Sequence, residues 1–218
     1  MQALLPGIAG PIGRLIFAFA VGVLTPGLTI LWLLWLEKNL LSKSPKWIWI
    51  VFSAMAITMV WRMEEKDLEG LIFLKIYLMM SFLAAAAWID WEKQKVPNRL
   101  LLAMLVGRVI FWILEFFVKD KNFSQQLLED WTGCGMVLLL LLVLTFLGRG
   151  AFGMGDIKLL GLISLYCGLF WTCDCFFYGL FLAGAVSVSL LVAGKKRWHD
   201  RIAFVPFLLM GYWLRAIL

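Results

Sequence analysis

Residues 137–158 read VLLLLLVLTFLGRGAFGMGDIK and join two apolar segments through a glycine-rich junction. The first apolar run ends at Leu147, and the second begins at Ile157. Between the two runs stand the glycines and one acid, which are Gly148, Gly150, Gly153, Gly155 and Asp156. A carboxylate at the boundary of an apolar, membrane-length segment is energetically costly, and such a position favours a functional site.

The glycines of this junction are compatible with more than one kind of structure. Glycine lets a second backbone approach closely and permits positive φ, which suits a site that must accept a peptide. A phosphate-binding loop would continue into Lys-Ser or Lys-Thr, whereas this one ends in Asp156, which would repel phosphate. A simple turn between two helices with an incidental aspartate remains the alternative to a functional loop.

The composition places the chain in a membrane. Of its 218 residues, 63% are hydrophobic and 12 are tryptophan, and the mean hydropathy is +0.91. Apolar runs of about 15–22 residues recur along the sequence, as expected of helices that cross a bilayer. We therefore predict an all-α polytopic membrane protein in which residues 1–218 form a single membrane-embedded domain in contact with the lipid bilayer.

About eight transmembrane helices are predicted from these apolar runs. They cover residues 15–36, 47–61, 68–89, 100–118, 131–147, two segments within 157–194, and 202–218. As one helix, residues 157–194 would be about 57 Å long, nearly twice the hydrocarbon thickness, so this segment must fold back once. Asp174 is its only acidic residue, which predicts the turn at residues 172–175.

The net charge of +6 indicates membrane orientation rather than nucleic-acid binding, because lysine and arginine accumulate in cytoplasmic loops. Twelve of these residues fall in loops 37–46, 90–99, 148–158 and 195–201, against six on the opposite side. The first set of loops is therefore predicted to be cytoplasmic, with both termini outside. Asp90 and Asp156 then lie at the cytoplasmic face of the cell's inner membrane.

No metal or cofactor is expected from the residue types. The cysteines are Cys134, Cys167, Cys173 and Cys175, and none forms a Cys-x-x-Cys pair. His199 is the only histidine and lies in a basic segment. This argues against a metal site, and also against a serine or cysteine nucleophile with a histidine base.

Two carboxylates lie at boundaries of predicted spans, since Asp90 ends the third span and Asp156 begins the sixth. If these ends are neighbours, both carboxylates cannot ionise cheaply, and the pair retains one proton. One carboxylate then acts as a base on water while the other donates a proton to a carbonyl oxygen, which is the chemistry of aspartic proteases. Asp90 and Asp156 are therefore the candidate catalytic residues.

Two stretches resemble the signatures of a known family. Residues 153–159 read GMGDIKL, and residues 89–98 read IDWEKQKVPN. Together they resemble the type IV prepilin peptidases, bacterial members of the GxGD intramembrane aspartyl proteases, and the likeness covers residues 84–162. Residues 204–208, which read FVPFL, are more loosely similar to an apolar stretch near the family's C-terminus.

The resemblance implies that Asp90 and Asp156 form the catalytic pair, and that Gly153 and Gly155 form the loop that lets the substrate approach. It also implies a prepilin or pseudopilin substrate, whose short basic leader is removed on the cytoplasmic side. Larger family members carry a cysteine-containing cytoplasmic domain where this chain has only residues 37–46. Those members also N-methylate the product with S-adenosylmethionine, so a peptidase-only form without that cofactor is predicted here.

Two other functions remain open. A presenilin-like or signal-peptide-peptidase-like protease would pair the glycine loop with Tyr-Asp, whereas residue 89 is isoleucine. A transporter could use the two carboxylates to carry protons or cations, but no internal repeat is evident in the sequence.

Four charged side chains within or beside the spans have simpler interpretations. Arg108 and Glu115 lie seven residues apart in the fourth span, which predicts a structural ion pair. Lys75 is predicted to extend outward to the membrane surface. Lys158 is expected either to reach phospholipid or to orient Asp156.

Overall fold

The computed structural model describes residues 24, 27–36, 46–65, 70–118, 123–148, 153–194 and 202–218. Their helices are α1 (Gly27–Leu36), α2 (Lys46–Glu65), α3 (Gly70–Lys93), α4 (Asn98–Val118), α5 (Phe123–Leu147), α6 (Met154–Cys167), α7 (Leu169–Val192) and α8 (Val205–Ile217). These ranges contain no strand, and the all-α prediction is confirmed. The first half of predicted span 15–36, loop 37–45, Gly150 and the basic segment 195–201 with His199 lie outside the described residues.

The helices follow the order of the predicted spans. Four of them, α3, α4, α5 and α7, are long and apolar enough to cross a bilayer, and α1, α2 and α8 contain shorter apolar segments. Helix α6 has 14 residues and is therefore about 21 Å long, less than a typical hydrocarbon core. The chain is an all-α polytopic membrane protein, as its composition predicts.

Helix α3 lies at the centre of the bundle. Of its most apolar 18-residue window, 83% is buried, against 17% for the corresponding window of the peripheral α7. The alanine run at residues 84–87 is buried within it, and these small side chains let neighbouring helices approach closely. In its N-terminal third, the carbonyl oxygen of Ile76 accepts a hydrogen bond from Tyr212 of α8 (2.9 Å).

The chain breaks between α6 and α7 at Gly168, whose φ of +85° is readily adopted only by glycine. The predicted fold-back within residues 157–194 is thus present, but its predicted position at residues 172–175 is wrong. Asp174 lies inside α7 and forms an ion pair with Arg215 of α8 (2.8 Å), so its charge reflects a helix–helix contact rather than a turn. The turn therefore lies at Gly168, because its backbone conformation requires a positive φ.

Helices α7 and α8 form a close antiparallel pair. Gly179 faces the backbone of Leu208, where a Cβ would lie 3.2 Å from the Cα atom. A Cβ on Gly211 would overlap the carbonyl oxygen of Cys175. The two glycines let the helix backbones touch, a packing mode common between membrane helices.

A buried network of charges links α3, α4 and α5. Glu115 accepts from both Lys75 (2.6 Å) and Arg108 (3.1 Å), and Arg108 also pairs with Asp130. The indole N–H of Trp112 donates to the same Asp130 carboxylate (2.9 Å). All four charged residues are at most 9% exposed. The network contains two positive and two negative charges, and this balance makes its burial tolerable.

Three predictions from the sequence can be compared with this network. The structural ion pair between Arg108 and Glu115 is confirmed. The outward extension of Lys75 is wrong, because its ammonium group has a carboxylate partner inside the bundle. Helix α5 begins at Phe123, earlier than the predicted start of the fifth span at residue 131, and it brings Asp130 into the network.

Candidate active site

Asp90 lies in the last turn of α3 and is 5% exposed. Its backbone carbonyl accepts from the N–H of Gln94 (2.8 Å), a non-glycine residue with φ of +51°, and the turn at residues 94–97 leads into α4. The side-chain carboxylate accepts a hydrogen bond from the backbone N–H of Val205 (3.1 Å). Asp90 is thus fixed between the end of one helix and the beginning of another.

The N-terminus of α8 is suited to hold that carboxylate. The first N–H groups of a helix have no partner within the helix, and the helix dipole there attracts negative charge. Pro206 occupies the first turn and has no N–H, so it leaves no unpaired donor of its own. The donor of Val205 is free to bind Asp90, 115 residues earlier in the chain.

Asp156 lies in the first turn of α6, outside the four long spans, and is partly buried. Gly153 is the N-cap residue of this helix, and its carbonyl accepts from the N–H of Asp156 (3.0 Å). In return, the N–H of Gly153 donates to the Asp156 carboxylate. This reciprocal arrangement is that of a capping box, in which an acid at the third helical position binds back to the N-cap.

The two sequence signatures meet at Gly155. A Cβ on this glycine would lie 3.1 Å from the Cβ atom of Val96, in the turn between α3 and α4. Gly153 has φ of −70°, and the positive-φ glycines of the described chain are Gly168 and Gly194. Gly155 therefore lets the turn between α3 and α4 pack closely against α6, and neither Gly153 nor Gly155 has a positive φ. The substrate-approach role of the two glycines stays a prediction.

The electrostatics of the site couple the two aspartates. Burial raises the pKa of Asp156, and the negative charge of Asp90 raises it further, to about 6 from an ordinary value of 3.8. The N–H of Gly153 opposes this shift by stabilising the ionised carboxylate. Two acids 66 positions apart in the sequence therefore share one electrostatic environment.

The other ionisable groups near this end of the bundle are less enclosed. Glu92 and Lys158 are both exposed. Over the described ranges, no three His, Cys, Asp or Glu side chains cluster closely enough to hold a metal ion. The cysteines are free thiols, with Cys134 and Cys175 buried among helices.

Comparison with known proteins gives one result. A family model described as the type IV leader peptidase family matches residues 77–188, slightly more than half of the chain. The chain belongs to the type IV leader peptidase family. Neither a search of curated proteins nor a search of solved structures gave a match. As a member of this peptidase family, the chain carries Asp90 and Asp156 inside the matched region, whereas Val205 lies beyond it.

Two contributors to the candidate site are not evident from the sequence. The sequence indicates the backbone N–H donor of Val205 only indirectly, through Pro206, which is typical of the first turn of a helix. Val96 belongs to the motif at residues 89–98, but its contact with Gly155 depends on tertiary packing that sequence periodicity does not encode. The contribution of Val205 is a backbone N–H group, and Val96 packs against the backbone of a glycine, so neither contact is encoded by a side-chain pattern.

The Gly155–Val96 contact leads to a testable expectation. Gly155→Leu would push the turn at residues 94–97 away from α6 and displace Asp90 relative to Asp156. A shift of about 1 Å can cost about 100-fold in rate, so we expect a loss of that order in leader cleavage.

Two matched variants control this experiment. Gly135→Leu adds the same side chain where a Cβ meets nothing within 4 Å, and it should keep the wild-type rate. Gly155→Ala adds a smaller side chain and should lower the rate less than Gly155→Leu. Combining it with Val96→Gly removes the Cβ atom that the new methyl group would contact, and this double variant should regain activity. Wild-type cleavage by Gly155→Leu would show that the close packing is not needed.

Proposed function

We propose that this protein is an intramembrane aspartyl endopeptidase that removes the short basic leader of type IV prepilins or pseudopilins. Asp90 and Asp156 are its catalytic pair, and the site faces the cytoplasm from the inner membrane. One observation carries the proposal: the charge of Asp90 raises the pKa of Asp156, as expected of two neighbouring carboxylates that share one proton. Family membership supports the peptidase class.

In the proposed reaction, Asp156 holds the shared proton and Asp90 is ionised, as its bond from Val205 favours. Asp90 takes a proton from water, and the oxygen of that water adds to the scissile carbonyl carbon. Asp156 donates its proton to the carbonyl oxygen, giving a neutral tetrahedral diol. Asp90 then protonates the amide nitrogen, the C–N bond breaks, and a diol hydroxyl returns its proton to Asp156.

The proposed substrate has a basic leader followed by an apolar helix, and the surroundings of the site suit both parts. Exposed Glu92 lies two residues after Asp90, where it attracts positive charge. The apolar bundle contacts the membrane, from which an apolar helix approaches laterally. The proposed chemistry needs no cofactor, and the proposal is a peptidase without S-adenosylmethionine-dependent methylation.

The pH dependence of cleavage follows from the raised pKa of Asp156. Above about pH 6 this acid loses the proton that the reaction requires. We expect kcat/KM to fall by up to about tenfold per pH unit above that value, because the general acid is progressively deprotonated. Initial rates between pH 5 and 9 would measure this, with unfolding temperatures recorded at each pH. A constant rate from pH 6 to 9 would contradict the proposed role.

Direct cleavage tests the proposal. Purified protein in detergent or vesicles is incubated with a purified prepilin, and gel mobility reports loss of a leader-sized fragment. N-terminal sequencing of the product then locates the cut, which we expect just before the apolar helix. A prepilin altered at the residue before the cut is the matched control. No cleavage of any prepilin or pseudopilin by folded protein would refute the proposal.

A further inference from the structure

A groove of about 390 Å³ lies between α4, α5 and α6. Its lining is mostly leucine, including Leu102 and Leu105 of α4 and Leu138 of α5. Leu102 and Leu105 are 60% and 38% exposed, so the groove opens on the outer surface of the bundle. In a membrane protein such a surface faces lipid chains rather than water.

The groove lies apart from the candidate catalytic pair. Lys158 contributes to its lining and follows Asp156 by two residues on α6. Two helical residues differ by about 200° around the axis, so the groove is on the face of α6 turned away from Asp156. Whatever occupies it packs behind the helix that carries this aspartate.

The polar groups of the groove are gathered at one end. Asn98 and Lys158 are both exposed, and within the described chain neither side chain makes a hydrogen bond or an ion pair. From there the lining continues along α4 to Leu105 and along α6 to Leu165, about 10 Å in each case. A cation above an apolar channel complements an amphiphile with a negatively charged head.

We propose that this groove is a binding site for an anionic phospholipid. One acyl chain lies along Leu102, Leu105 and Leu138, and the phosphate is bound by Lys158 and Asn98. The cation selects a lipid with net negative charge over a zwitterionic one, since a single lysine at the membrane surface favours anionic lipid about fivefold. The bound chain fills the space behind α6. Lipid binding here is independent of whether the protein cleaves prepilins.

Lipid titration tests this site. Detergent-solubilised full-length protein is titrated with dioleoylphosphatidylglycerol or dioleoylphosphatidylcholine, and native mass spectrometry counts the bound lipids. We expect one phosphatidylglycerol site that binds about fivefold more tightly than phosphatidylcholine, and we expect Lys158→Gln to remove the difference. Lys95→Gln, which removes an exposed charge outside the groove, should leave it intact.

Groove-filling variants test the acyl-chain part. Leu105→Trp should remove the tight lipid, and so should Leu102→Trp, at a more exposed position where a larger side chain is tolerated. Leu139→Trp, 69% exposed on α5 and outside the groove, is the matched control. Equal affinity for both lipids, unchanged binding in folded Lys158→Gln or Leu102→Trp, or the same Lys158-dependent thermal stabilisation by inorganic phosphate alone would overturn the proposal.

Discussion

Replacing Asp156 with asparagine should slow leader cleavage by at least about 100-fold while leaving the protein folded. Asparagine keeps the shape of the side chain but can neither hold nor release the proton. General acid–base catalysis contributes about 10²–10⁴-fold, and a loss in that range is expected for Asp156→Asn and for Asp90→Asn. The amide oxygen of Asp90→Asn can still accept from Val205, so its helix contact is preserved. Initial rates of prepilin cleavage measure the effect.

Stability measurements separate this loss from unfolding. The pKa of Asp156 is raised in the folded protein, so its contribution to stability is present below pH 4 and is lost as pH rises through about 6. At pH 8 the wild type therefore holds an unfavourable buried charge that Asp156→Asn lacks. The variant should unfold at a temperature no lower than the wild type at pH 8.

A control aspartate lies at the other end of the bundle. Asp174 pairs with Arg215, and its side chain is 44% exposed. Asp174→Asn should cleave prepilin at the wild-type rate. Full activity in Asp90→Asn or Asp156→Asn would remove the aspartyl mechanism, whatever the behaviour of this control.

Replacing Glu115 with alanine should lower the stability of the bundle more than any substitution at the surface does. The variant leaves the cations of Lys75 and Arg108 buried with only Asp130 to balance them. Removing one partner of a buried ion pair costs about 3–5 kcal/mol. Chemical or thermal unfolding in detergent would show this as a large fall in midpoint.

Two comparisons identify the cause. Glu129→Ala removes an exposed acid of α5 whose carboxylate accepts a hydrogen bond from Gln125, and it should change stability by no more than about 0.5 kcal/mol. Lys75→Met combined with Glu115→Leu removes one charge of each sign and leaves the Arg108–Asp130 pair balanced. This double variant should recover most of the lost stability. If Glu115→Ala were as stable as Glu129→Ala, the network would have no role in holding the three helices together.

Much of the fold and of the candidate pair was accessible from sequence, because both depend on local patterns. Apolar runs locate membrane helices, since a bilayer admits few other structures. Asp90 and Asp156 are conspicuous because each lies beside an apolar run, where a carboxylate is costly, and within one of the two family-like motifs. The pairing of Arg108 with Glu115 follows from helical spacing alone, as seven residues are two turns.

The remaining features depend on contacts between distant segments. Lys75 has no local partner, and its burial is decided by Glu115 on the next helix. The break at Gly168 was hidden because Asp174 was the more visible irregularity, whereas the backbone conformation needed a glycine. The capping role of Gly153 is not evident from sequence for a different reason, since a Gly-x-Gly-Asp motif fits both a substrate-approach loop and a helix N-terminus.

The hydrogen bond from Val205 to Asp90 also has a consequence for biogenesis. During synthesis, both acids are translated before the eighth helix. Until that helix inserts, the third helix ends in a carboxylate without its main-chain donor. In the proposed peptidase, the catalytic pair would therefore be complete only late in membrane insertion, and a ribosome-bound nascent chain is expected to be inactive.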